Sequence, residues 1–271
     1  MNVKLTTCVR VFVALFSLNS SYMQADTFDY VTVSLDKPFY FFDSSSKKDR
    51  NMGIVVTNES KNVSGVSISL YGSSIVDEKV MFNLEENNLD IDLYPKAFIL
   101  PPARKLSIKA IPYIDNSQSE SIYRIRALPK SPKSLIKENP KLAQTLASSK
   151  DDLLDDDSSI GEVMVGIGNG SIIIVQPFNS VDVKSINLVT NNENELKIIN
   201  DGDYSIQVKN MVINKNVRAK EFVVLGKKSK IKKVDVGVNP ISTISFEDQL
   251  GNNYLYKCNE KGCTNENKKH G

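Results

Sequence analysis

The side chains of this 271-residue chain that could do chemistry are few and poorly matched to catalysis. An activated Ser or Cys nucleophile usually needs a positioned base, most often His. His270 is the single histidine, and it sits in a charged tail. Asp155, Asp156 and Asp157 bring carboxylates together, but without the spacing or the Gly of a calcium loop, so they read as solvated. Gly166, Gly168 and Gly170, in the string VGIGNGS, imitate part of a dinucleotide fingerprint. Phosphate binding would need a helix N-terminus next, whereas Ile172 to Val175 reads as a strand. No acid, base and nucleophile set assembles, and the expectation is a protein that is not an enzyme and has no cofactor, metal or small-molecule substrate.

The cysteines carry a structural signal instead. Cys258 and Cys263 are separated by Asn-Glu-Lys-Gly, a spacer that suits a hairpin turn. A disulfide is favoured if the chain is exported, because a tetrahedral metal site would need two further ligands. Export is indicated by the first 25 residues. Lys4 and Arg10 precede the apolar run Val11 to Leu18, and a polar stretch ends at Ala25. That pattern reads as a secretory signal over residues 1–25, with an apolar core too short to span a bilayer as a helix. Cys8 leaves with it. Loss of Lys4 and Arg10 from a segment without acidic residues takes the formal charge from +2 to 0. Binding to nucleic acid or anionic lipid by counterion release is therefore not expected.

The elements that would position any site are strands. Val66, Ile68 and Leu70 alternate with Ser67 and Ser69, and similar short runs occur at Val31–Leu35, Phe39–Phe42, Met52–Thr57, Ala97–Leu100, Leu106–Ile111, Ile122–Leu128 and Gly161–Val175. A second strand-rich stretch runs from Ser185 to Lys257. Between Lys130 and Ser159 the pattern stops, and a basic part gives way to an acidic one, with a short helix possible from Leu135 despite Pro140. The expectation is all-β: two sandwich domains in tandem, 26–177 with a long mobile loop over 130–160, and a smaller one over 178–271.

One strand stands out. Val163, Val165 and Ile167 share a face, since extended side chains alternate with period two. Either they fill the sandwich's own core, or they form an apolar edge of the kind that pairs with a partner through backbone hydrogen bonds and side-chain pockets.

The order of the pieces resembles the PapD-like periplasmic chaperones of the chaperone-usher pathway. Ser34-Leu35-Asp36-Lys37 followed by Phe41-Phe42-Asp43 is similar to that family's first strand. Phe98-Ile99-Leu100-Pro101-Pro102-Ala103 followed by Leu106-Ser107-Ile108 is similar to its proline corner, Tyr123-Arg124-Ile125 with Leu128-Pro129 to its sixth strand, and Ile172 to Pro177 to the end of its seventh. Over the second half the resemblance rests on strand pattern and on Asn200-Asp201-Gly202. It implies two immunoglobulin-like domains, a periplasmic location, and ATP-independent holding of pilin or fimbrial subunits by a lent strand, followed by delivery to an outer-membrane usher. Val163, Val165 and Ile167 fall where the family places its alternating subunit-binding residues.

The family's best-known members grip a subunit's terminal carboxylate with one basic residue on the first strand and one on the seventh. Here the matching positions are Phe39 and Ile172. The long insertion and the Tyr-Arg-Ile string look more like the alternate branch that serves colonisation-factor and common-pilus fimbriae. Arg124, with Arg126 and Lys37 beside it as further candidates, is then the expected anchor. The alternative is an exported β-sandwich adhesin or a pilus structural subunit that binds glycan or protein.

Overall fold

The computed structural model describes residues 31–44, 52–76, 79–83, 91–112, 119–142, 166–177, 185–190, 195–233, 240–259 and 262–266. Period-two runs bounded by Asn, Asp, Ser, Gly and Pro become strands throughout. β1 (Val31–Leu35), β2 (Phe39–Asp43), β3 (Met52–Asn58), β4 (Ser64–Val76), β5 (Lys79–Phe82), β6 (Ile91–Tyr94), β7 (Ala97–Leu100), β8 (Lys105–Pro112), β9 (Ser121–Lys130) and β10 (Gly166–Gln176) form one hydrogen-bonded system.

Its two layers follow from the pairing. β6, β8, β3 and β1 lie side by side in one, and β2, β10, β9, β4 and β7 in the other. Successive strands that change layers in this order give the immunoglobulin-type arrangement, with β1 and β2 as the two halves of a first strand that switches sheets. Alternate residues enter the core between the layers: Val31, Val33 and Ile54 from one, and Tyr40, Ile125 and Ile173 from the other, all buried. Burying a side chain of this size stabilises by roughly 1.5 to 3 kcal/mol.

Of the insertion over 130–160, residues 143–160 lie outside the described residues, and the part before them carries a docked helix. α1 spans Pro132–Glu138, three residues ahead of the expected start at Leu135. Ser131 caps it by accepting from the Ser134 N–H, and Pro132 occupies the first turn, where its missing N–H costs nothing. Leu135 is fully buried, packed over Gly65. Pro140 follows two residues after the last helical turn.

The remaining strands are β11 (Ile186–Thr190), β12 (Glu195–Asn200), β13 (Ile206–Ile213), β14 (Val217–Arg218), β15 (Phe222–Val224), β16 (Lys228–Lys233), β17 (Thr243–Glu247), β18 (Asn253–Asn259) and β19 (Gly262–Asn265). They form a three-stranded sheet, β11-β12-β16, facing a six-stranded one built around β13, β17 and β18. Their own core includes Ile198, Val208, Phe246, Tyr254 and Tyr256. The Phe246 and Tyr254 rings stack, with centroids 4.7 Å apart. Cys258 and Cys263 are disulfide-bonded across the β18–β19 hairpin.

One corner is built twice. At the end of β3, Asn58 accepts from the Ser60 N–H and donates to the carbonyls of Asn62 and Leu100. At the end of β12, Asn200 accepts from the Gly202 N–H and donates to the carbonyls of Tyr204 and Val224. Both amides are buried, and each satisfies the turning backbone that a layer change would otherwise leave unpaired.

Candidate strand-pairing edge

β10 has three zones along its length. Over 172–176 it is enclosed: β9 pairs with it antiparallel on one side and β2 parallel on the other, where Ile172 stands opposite Phe39. Both of its faces are covered over 173–176. Ile173 and Val175 enter the sandwich core, while Ile174 joins Phe41, Ile122 and Val223 in a cluster where the two sandwiches meet. An unbroken apolar run such as Ile172 to Val175 is the sequence mark of a strand buried on both faces.

Over 169–171 the ladder to β9 continues, and the other flank is the corner between β1 and β2. Ser171 Oγ donates to the Lys37 carbonyl at 2.5 Å, and the Ile172 N–H to that of Pro38 at 3.0 Å. Over 166–168 the flanking strand is β1, parallel, with Thr32 opposite Ile167. Here β10's own residues are exposed, Ile167 at 54%, although Val31 and Val33 beside it belong to the core. Val163 and Val165 lie outside the described residues.

The glycines of VGIGNGS now have a mechanical explanation. A Cβ at Gly168 would stand 2.4 Å from the Ala127 carbonyl oxygen, and one at Gly166 2.6 Å from Pro129 Cγ. The absence of side chains lets this end of β10 lie close against β9.

The three candidate cations gather around residues 170–172 of β10. Arg126 is opposite Gly170 and Arg124 opposite Ile172 on the β9 side. Lys37 approaches from the other flank, its carbonyl held by Ser171 and its N–H directed to the Tyr40 hydroxyl. Arg124 is exposed, with its guanidinium carbon 5.9 Å from the centroid of the Phe82 ring, a cation–π contact. Among the described residues none of the three is in an ion pair. Phe39, Ile172, Val80, Phe82 and Leu225 are only partly buried around the inter-sandwich cluster, so Arg124 borders an apolar surface.

Neither the protein-family models nor the curated proteins match this chain. Among solved structures, the Escherichia coli chaperone DraB is similar at 10% identity and a TM-score of 0.49, over 85% of this chain and 97% of that one. The Salmonella enterica SafA pilin in complex with the SafB chaperone gives 10% and 0.49, over 83% and 95%. The class 5 fimbriae chaperone CfaA gives 14% and 0.42, over 86% and 97%. At these identities and scores the likenesses carry no functional assignment.

Local sequence pattern does not reveal the join between the sandwiches. Glu120, just before β9, accepts from both the Ser205 N–H and its hydroxyl, each at 2.6 Å. The Ser205 carbonyl in turn accepts from Gln176 Nε2 at 3.2 Å and Gln249 Nε2 at 3.3 Å. Burial holds the Glu120 carboxyl above its ordinary range, against the lowering effect of the two Ser205 bonds. The only available signal was a lone Glu ahead of a strand, too common to single out.

Proposed function

We propose that this protein is a periplasmic assembly chaperone, exported by residues 1–25, that holds pilin or fimbrial subunits by lending them the leading end of β10 and delivers them to an outer-membrane usher. The first sandwich, within 26–177, does the lending; the second, within 178–271, completes the cleft beside it. The observation that carries this reading is the exposure of Ile167 on a strand whose other end is locked into the core. A subunit short of one strand exposes an apolar groove, and an extended chain with side chains on alternate positions fills it. Val165 and Val163 continue the series on sequence alternation alone. A pilus subunit would be expected to lack its last strand, whereas β10 sits in its own sheet between β9 and β2.

Register would be fixed by a cation at the subunit's terminal carboxylate, a charge-assisted contact. Arg124 is favoured because it borders the apolar surface formed by Ile172, Phe39 and Phe82.

Periplasmic subunit levels test the proposal. Ile167→Asp and Val165→Asp should each lower the accumulation of a co-expressed subunit about ten- to a hundredfold, the equivalent of one lost aliphatic burial, while the chaperone remains folded. Unchanged subunit levels with both variants would refute the edge assignment. In the same assay Arg124→Ala should reduce subunit binding more than Lys37→Ala or Arg126→Ala; negligible effects from all three would remove the anchor.

A further inference from the structure

The backbone at Ile167 is already occupied in the free protein, although its side chain is exposed. β1 pairs with β10 through Val31 opposite Gly166, Thr32 opposite Ile167 and Val33 opposite Gly168. The Thr32 carbonyl accepts from the Glu59 N–H at 2.9 Å, on the β3 flank. Backbone polar groups alternate in direction along a strand, so those of Val31 and Val33 turn toward β10. A second chain cannot form a ladder with Ile167 while they remain there.

This seam is short and parallel, the less stable kind of pairing, and both of its sides are held elsewhere. Ser34 and Leu35 pair with β3, and Val31 and Val33 are buried in the core. β10 is held by β9 from residue 169 onward and by β2 from residue 172. Parting the seam therefore breaks a three-residue ladder and leaves each strand anchored. An uncovered edge carrying Ile167 would pair with any available strand, so a weak internal cover protects it.

Building on the chaperone reading, we infer that β1 is a displaceable cover for the lending edge: an incoming subunit's unpaired edge strand takes the place of Val31–Val33 along Gly166–Gly168. The partner is the exposed edge of an incomplete β-sandwich, recognised through its backbone and an apolar pocket for Ile167.

The test is amide exchange on the full wild-type chain, free and bound to a fimbrial subunit deleted for its N-terminal extension, so that no binding residue is altered. The Val33 N–H should exchange about tenfold or more faster in the subunit complex than in the free protein. Unchanged or greater protection of that N–H in a complex that does form would overturn the inference while leaving the chaperone reading intact. Failure of the protein to bind the subunit would sink the chaperone reading itself.

Discussion

The two sandwiches turn the same corner with the same residue, Asn58 in one and Asn200 in the other, yet they finish their last long strands in opposite ways. β18 alternates cleanly, with Tyr254 and Tyr256 in the core, and its outer flank is covered by β19. That cover is covalently tied through Cys258–Cys263 and pinned by Asn265, which donates to the Tyr256 hydroxyl while that hydroxyl donates to the Ile186 carbonyl. Burial raises the Tyr256 pKa, so the hydroxyl remains a donor at any ordinary pH. β10, by contrast, is exposed over Gly166–Gly170 and is covered at its leading end by three residues of parallel ladder. One architecture thus covers its last long strand with a cystine-tied hairpin in the second sandwich and with a short parallel ladder in the first, and the proposed lending requires only the latter to open.

The covalent closure supplies the larger way to sharpen this contrast. Replacing both Cys258 and Cys263 with Ser should destabilise the second sandwich by about 2 kcal/mol, the chain-entropy value for so small a loop. Denaturant unfolding of the variant should show a lowered midpoint at an unchanged slope. Subunit binding by the folded protein should be unaffected, because the lent edge belongs to the other sandwich. A variant that unfolds like wild type would mean the cystine contributes nothing to closing the edge. A variant that stays folded but loses its subunits would mean the division of labour between the sandwiches is wrong.

How much of this was legible in the sequence varied with the range of the interaction. The long strands were legible because alternation is local: Val66, Ile68 and Leu70 point inward as their spacing requires. The hairpin cystine was legible because a Gly in a four-residue spacer is also local. β6 was not, since Ile91-Asp-Leu-Tyr94 gives only two inward residues in a polar stretch, and β14 spans two residues. The helix start was misplaced because Ser131-Pro132, a cap followed by a first-turn proline, is a stronger start signal than the first apolar residue, Leu135. The candidate edge was half legible. Alternation identifies Ile167, but which strand flanks it depends on a register between segments more than a hundred residues apart. Arg124 standing opposite Ile172 likewise rests on a long-range register, here between residues 48 apart in the chain.

The join between the sandwiches offers the finest test, because it asks whether the open-edged and closed-edged units act as one body. Glu120 spans the join by accepting two hydrogen bonds from Ser205, and burial raises its pKa. A carboxyl whose pKa is higher in the folded state holds its proton more tightly there than in the unfolded chain. Its contribution to stability is therefore fully present below the ordinary carboxylate pKa and is lost as pH rises through the folded value. Glu120→Gln keeps the shape without the charge and removes that dependence. The stability of wild type relative to Glu120→Gln, measured by thermal unfolding, should accordingly fall as pH is raised from the ordinary carboxylate pKa, about 4.3, through the higher folded value. A difference that stays constant across that range would show that the carboxyl is not held in a desolvated join, and the two sandwiches would then be free to vary the cleft that Arg124 borders.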